Sequence, residues 1–285
     1  MINGVFEEHR PMLLGLAYRL LGSMWDAEDV VQDAFLKWSG ADRSEVREPR
    51  AFLATMVSRL ALDQLRSARR TREAYVGPWL PEPVESSAFG PLDTVELRDT
   101  LSFATMHLME RLSPPERAVF VLREAFDYPY ETIAEVVGAT IANCRQMHHR
   151  AAVHLAEGRD RFDPTDEEHT RLLSTFMTAA ENGDLDALTA MLGEDVEAWN
   201  DGGGRVRAAL RPITGLARVG RFIAGLLEKF TFTEVAIVEA NGVPALRAKA
   251  DGMDQLIFVD FRDGKVRGVY AVLNPEKLTR VGGRS

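Results

Sequence analysis

Asn143, Arg145 and Gln146 lie within four consecutive positions of a segment with helical apolar spacing. Arginine can pair with the O6 and N7 edge of guanine, and asparagine or glutamine with the N6 and N7 edge of adenine. Arg150, one turn further along, is placed for a phosphate. A second set carries cations: at 100° per residue Thr55, Arg59, Arg66 and Arg70 share a narrow arc, Arg50 precedes them, and Arg69 and Arg72 extend the basic end. Guanidiniums in such a line can follow a phosphate backbone, or they can pair with nearby carboxylates. A third set is acidic. Glu28, Asp29, Gln32 and Asp33, with Leu36 beside them, face away from an apolar stripe. This face is either merely solvated or a docking surface for a basic protein partner.

The elements that must position these groups follow from periodicity. Ala27, Val30, Val31, Ala34, Phe35 and Trp38 recur at i, i+3, i+4, i+7, i+8 and i+11, a buried helical stripe. Leu53, Met56, Val57 and Leu60 give the basic helix its apolar face. Ser113-Pro114-Pro115-Glu116 starts a helix by capping box and first-turn proline. A short helix from Tyr130, with Ile133, Ala134 and Val137 inward, leads through Gly138 to Thr140, which caps a helix from Ile141 to about Leu155. Short helix, glycine turn and longer helix form a helix-turn-helix pattern, whose second helix enters the major groove. An ordinary helical hairpin is the alternative. Cys144 falls on the apolar side of that helix and reads as core. His148, His149 and His154 lack the partner set of a metal site, so neither metal nor cofactor is expected.

Between the helical segments, residues 77–93 hold four prolines and read as a linker without positive charge. Trp79 and Leu80 make it unlike an inert spacer. Beyond Pro164, helices are expected around 167–182, 185–192 and 215–229. Alternating β-branched runs follow at 231–239, 244–250, 255–262 and 266–273, with Asn241-Gly242 and Asp263-Gly264 at hairpin spacing. The pattern predicts two all-α domains followed by an α+β domain with a curved antiparallel sheet.

Across 285 residues the formal charge is −9. It divides into zero over 1–73, −4 over 74–96, −2 over 97–163 and −3 over 164–285. With no basic tail, nucleic-acid contact must come from stripes on particular helices. The lone Cys144, the absence of a long apolar run and the absence of a secretory leader favour a cytoplasmic location without membrane attachment.

Acidic-faced helix, basic helix, linker and helix-turn-helix, in that order, resemble a bacterial sigma factor of the extracytoplasmic-function type. The resemblance covers about residues 1–160. It rests on Asp26-Ala27-Glu28-Asp29-Val30-Val31-Gln32-Asp33-Ala34-Phe35, on Arg50–Arg72 and on Leu112-Ser113-Pro114-Pro115-Glu116-Arg117 through Leu155. It implies that region 2 (1–73) docks on the clamp helices of core RNA polymerase through Glu28, Asp29, Gln32, Asp33 and Leu36. Region 2 would also open the −10 element with Arg50, Thr55, Arg59, Arg66, Arg69 and Arg70, and the loop 42–49 would hold an extruded base. Region 4 (97–163) would read the −35 element with Thr140, Asn143, Arg145, Gln146 and Arg150 and touch the polymerase flap. His148 occupies a place where many members carry an aliphatic residue.

Trp79-Leu80-Pro81-Glu82-Pro83, Asn143-Cys144-Arg145-Gln146, Asp201-Gly202-Gly203-Gly204-Arg205 and Asn274-Pro275-Glu276-Lys277-Leu278 look like marks of the SigJ-like subgroup. Its members carry a fused SnoaL-like cone, here 164–285, behind a 74–96 linker. The resemblance implies cis regulation by that cone, with Trp79, Leu80, Pro81, Asp201, Gly202, Gly203, Gly204, Asn274, Pro275 and Lys277 at an interdomain contact. His169, Tyr270, Asp201, Asp254 and Asp260 are a thin acid–base set, so no enzymatic activity is assigned. Trp199, Arg207 and Tyr270 could line a pocket for a small-molecule signal, or be core. A helix-turn-helix repressor or activator with a small-molecule-sensing domain is the alternative function.

Overall fold

The computed structural model describes residues 2–42, 46–89, 97, 100–157 and 165–281. The chain forms two compact units: residues 1–73 with 86–158, and residues 74–85 with 159–285. This differs from the sequence expectation in two respects. Both helical segments belong to one unit, and the proline-rich stretch divides, its first twelve residues belonging to the C-terminal unit. Proline forbids a regular ladder but not an extended, packed strand, and Leu80 through Val84 are all buried.

The helical unit contains α1 (Ile2–Leu21), α2 (Met24–Gly40), α3 (Pro49–Glu73), a 3₁₀ turn (Ser86–Phe89), α4 (Phe103–Met109), α5 (Pro114–Glu124), α6 (Tyr130–Val137) and α7 (Ile141–Glu157). Helices α1, α2 and α3 pack on one another, α5 and α6 pack on α7, and α3 contacts both α5 and α6. Ser23 caps α2, its hydroxyl accepting from the Asp26 N–H at 3.2 Å. The α2 stripe is buried through Ala27, Val30, Val31, Ala34 and Trp38, while Phe35 sits half-buried, edge-on to Phe6. In α3 the buried set is Leu53, Ala54, Val57, Ala61, Leu62 and Leu65; Met56 and Leu60 are only half-buried. In α6 the inward residues are Ile133, Ala134 and Val136, one position off the expected Val137.

The C-terminal unit contains α8 (Asp166–Glu181), α9 (Leu185–Met191), β1 (Leu192–Asp201), β2 (Ile213–Thr214), α10 (Leu216–Lys229), β3 (Phe232–Ala240), β4 (Val243–Ala250), β5 (Met253–Arg262) and β6 (Lys265–Val272). The six-stranded sheet has the order β2-β1-β6-β5-β4-β3. The expected four-strand meander forms β3 to β6. Its turns 241–242, 251–252 and 263–264 hold positive φ at both positions, as two-residue hairpins require. Strand β1 is an addition, and it pairs with β6 in parallel, Ala198 against Val269 and Asn200 against Ala271. The sheet is therefore mixed rather than wholly antiparallel, because α10 and the meander lie between β1 and β6 and return the chain in the same direction. Leu173, Phe176, Val196, Val219, Leu246, Val259 and Phe261 form the core between the helices and the inner face.

Candidate functional site

In the helical unit, α2 presents Asp29, Gln32, Asp33 and Leu36 to solvent, and Glu28 at its edge. Leu36 is 60 % exposed, a large apolar side chain among carboxylates. Trp25 lies on the same face and is 56 % exposed. Sequence reasoning passed over it, although its spacing of 4 to Asp29 and 7 to Gln32 places it there.

Arg50, Arg59 and Arg66 are exposed on α3 and Thr55 is half-buried. Arg66 pairs with Asp63 at 3.2 Å. Arg59 donates to the Glu135 carbonyl of α6 at 3.1 Å. The side chains of Arg69 and Arg70 lie outside the described residues, as do positions 43–45 of the preceding loop. Arg72 corrects the expected basic end. Its guanidinium turns inward, donating to the Leu21 carbonyl and to Glu110, and burial lowers its pKa from the usual arginine value. Glu110 also takes Arg117, which is buried and donates to the Arg19 carbonyl at 2.9 Å.

The helix-turn-helix is formed by α6 and α7. Gly138 ends α6 in the left-handed region, φ 71° and ψ 40°, where a side chain would be strained. Thr140 accepts from the Asn143 N–H at 3.2 Å. Thr140, Asn143, Arg145, Gln146 and Arg150 are all exposed, and Cys144 is buried. The Arg145 guanidinium lies 5.5 Å from the Tyr130 ring centre. Arg150 holds Glu116 at 3.0 Å. Burial alone would raise the Glu116 pKa, but hydrogen bonds from Ser113 and Arg150 outweigh it and lower the value. His148 lies between Glu124, 2.8 Å from Nε2, and the Tyr130 hydroxyl, 3.1 Å from Nδ1. These two partners give a polar role to a position that is aliphatic in many members.

In the C-terminal unit the quoted motifs meet around Asp201, whose side chain is fully buried. One carboxylate oxygen accepts from the Tyr75 hydroxyl at 2.6 Å. The other accepts from the Leu80 N–H at 2.9 Å and from the Lys277 ammonium at 2.7 Å. Lys277 also donates to the Leu80 carbonyl and lies 4.1 Å from the Trp79 ring centre. Asn274 donates to the Tyr75 hydroxyl at 2.9 Å. Burial, together with Asp201, raises the Tyr75 pKa well above the ordinary phenol range. Gly203, at φ +57°, passes so close that a Cβ would collide with Asn274 and Tyr75; Gly204 lies against Val76, and Gly202 against Val206. Arg205 pairs with Glu276 at 2.8 Å, Pro275 lies between Asn274 and Glu276, and Pro81 is buried beside Leu80. A second anchor was missed. Asn241 and Val84 exchange two bonds, the Val84 N–H to Asn241 Oδ1 at 3.0 Å and the Asn241 N–H to the Val84 carbonyl at 2.8 Å. Its sequence signal was absorbed by the hairpin turn it also forms.

The acid–base candidates are not brought together. His169 packs edge-on against Phe261 on the inner side of the sheet, whereas Tyr270 and Asp201 alternate to the outer face. Asp254 pairs with Arg247, and Asp260 alternates to the outer face. Of the pocket candidates, Arg207 lines a cavity on the inner face, but Trp199 and Tyr270, register partners of each other, do not. Among the described residues no cluster could hold a metal ion, and no helix is long and apolar enough to cross a membrane.

Comparison with known proteins resolves the helical unit. The sigma-70 region 2 model matches residues 5–71 and the sigma-70 region 4 model residues 102–155. The chain is 38 % identical to the extracytoplasmic-function RNA polymerase sigma factor SigJ of Mycobacterium tuberculosis, over 96 % of this chain and 92 % of the other. It belongs to the extracytoplasmic-function sigma factors. This sigma factor is also 31 % identical to SigI of the same organism over 97 % of its length. The crystal structure of M. tuberculosis SigJ superposes with a TM-score of 0.78 at 32 % identity, covering 96 % of this chain and 97 % of that one. As a sigma factor the protein acts in transcription initiation, with regions for core RNA polymerase and promoter DNA; the helix-turn-helix repressor alternative has no use for region 2. Its helical regions precede an α+β SnoaL-like domain, as in the matched structure.

Proposed function

We propose that α2 docks on the clamp helices of core RNA polymerase through Glu28, Asp29, Gln32, Asp33, Leu36 and the added Trp25. In this reading α3 holds the −10 strand with Arg50, Thr55, Arg59, Arg66, Arg69 and Arg70, and α7 reads the −35 element with Asn143, Arg145 and Gln146. Arg150 and Thr140 fix register on phosphates. The C-terminal unit regulates in cis by binding rather than by catalysis, in the cytoplasm where polymerase works. The observation that carries this reading is the exposure of all three residue sets on helices matched by the region 2 and region 4 models. Because Arg59 is spent on Glu135 and α3 packs on α6, engagement of the −10 strand requires α3 to leave α6.

Run-off transcription with purified bacterial core polymerase on genomic promoter fragments tests the proposal. A discrete start with the whole chain, lost in a Trp25→Ala, Leu36→Ser variant that no longer binds core, supports it. Undiminished core binding by that variant refutes the α2 assignment.

A further inference from the structure

A cavity of about 910 Å³ opens between the inner face of the sheet and helices α8 and α10. Its wall is mostly apolar, with Phe176, Phe222, Leu226 and Ile257 among the lining side chains. That size and character suit a drug-sized organic molecule. Two polar groups interrupt the wall. Asn200 and Gln255 are 7 % and 6 % exposed, and neither Asn200 Nδ2 nor Gln255 Nε2 has a hydrogen-bond partner. A buried amide N–H left unpaired is costly, and such groups are rare unless something absent from the protein itself pairs them.

Their placement follows from the register. Asn200 stands opposite Ala271, Ala271 opposite Ile257, and Gln255 lies two residues along β5 from Ile257. The two amides are thus two strands apart and offset by two residues, roughly 12 Å between Cα atoms from ordinary strand spacing and rise. Both side chains lean over the same apolar floor. The rim carries Arg207, Arg221 and Lys229 but also Glu181 and Asp254, so it does not select one sign of charge.

We propose that this cavity is a binding site for a neutral, largely apolar small molecule bearing two oxygen acceptors, such as a diketone or quinone, with the Asn200 and Gln255 amides donating to those oxygens. The inference stands apart from the assignment of α2, α3 and α7, and its test does not use transcription.

The whole protein is titrated with the fluorescent naphthyl ketone prodan, and bound prodan is then displaced by anthraquinone or by anthracene, which has the same outline and no oxygens. We expect saturable blue-shifted prodan emission, and displacement by anthraquinone at concentrations at least about tenfold below those for anthracene, equivalent to about 1.4 kcal/mol. In Asn200→Leu, Gln255→Leu the anthraquinone advantage disappears, while the unliganded protein melts no lower, because two unpaired amides have been removed. Ala248→Phe, which fills the cavity floor, abolishes prodan binding. Should that variant fail to fold, the near-isosteric leucine pair still decides. Non-saturable prodan emission, equal displacement by the two polycycles, an advantage that survives in the leucine pair, or unchanged binding in folded Ala248→Phe overturns the proposal.

Discussion

At the scale of single residues, the two DNA-facing sets differ in what they can specify. Arg66 is exposed with only Asp63 as a partner, and nothing in its position selects a base. Arg145 lies in the first half of α7, steadied over Tyr130. Phosphate contacts supply affinity and base-edge contacts supply choice. Arg66→Ala is therefore expected to weaken transcription from a promoter panel uniformly, whereas Arg145→Ala redistributes it, relaxing one −35 position by about 1–3 kcal/mol. Parallel losses from both variants across the panel would remove the distinction. A different residue governs pH response. His107 is buried in α4, and desolvation, with Arg111 adding to it, lowers its pKa to about 3 from 6.5. The unfolded chain accepts the proton first, so the stability this neutral imidazole contributes is complete above about pH 6.5 and is lost as pH falls from there toward 3. Urea unfolding from pH 7 to pH 4 should show a slope that reaches about 1.4 kcal/mol per pH unit and is absent in His107→Leu. Equal slopes in the two proteins would assign the acid sensitivity elsewhere.

At the scale of elements, the helical unit is joined by buried charge. Glu110, at the end of α4, receives Arg72 from α3 on one oxygen and Arg117 from α5 on the other. Arg19 of α1 donates in turn to the Leu97 carbonyl at 2.7 Å and the Thr100 hydroxyl at 3.0 Å, its pKa lowered by burial to about 10. Such a network is expensive to break from one side, because the remaining ions stay buried and unpaired. Glu110→Ala is expected to cost about 3–5 kcal/mol in chemical unfolding of this unit, and replacing Glu110, Arg72 and Arg117 together with apolar residues much less. Comparable losses from the single and triple replacements would mean that packing, not charge, sets the stability. This network also marks where sequence reasoning stopped. Stripes and caps are local, so α2, the helix-turn-helix and the β3–β6 hairpins were legible from spacing. Arg72 continued a basic run, and only the tertiary placement of Glu110 turns it inward. Strand β1 carries Glu194, Asp195 and Glu197 among its apolar residues, so its alternation was hidden, and it pairs with β6, far along the chain. Asp201 was legible as part of a motif, but its partners Tyr75, Leu80 and Lys277 are set by folding alone.

At the scale of the whole molecule, the chain leaves the helical unit after Glu73 and returns to it at Ser86, and the twelve residues between belong to the C-terminal unit. Free, they could stretch about 40 Å and let regions 2 and 4 take many separations. Held at Asp201 and at Asn241, they have one path, so the C-terminal unit controls how much tether the two DNA-reading regions share. Lys277→Met tests this directly, since it leaves the buried Asp201 carboxylate with only the Tyr75 hydroxyl and Leu80 N–H from the 74–85 segment. Removing one partner of a buried ion pair costs about 3–5 kcal/mol. If that cost falls on local opening, amide exchange in peptides from 74–85 should accelerate by roughly a hundredfold or more while β5 peptides stay protected. In run-off assays the same variant should accept a wider range of spacings between −35 and −10 elements, because a loosened tether no longer selects one. Faster exchange with an unchanged spacing preference would confine the clasp to stability of the C-terminal unit. Unchanged exchange would mean that Asn241 and the buried 80–84 stretch hold the segment without Lys277.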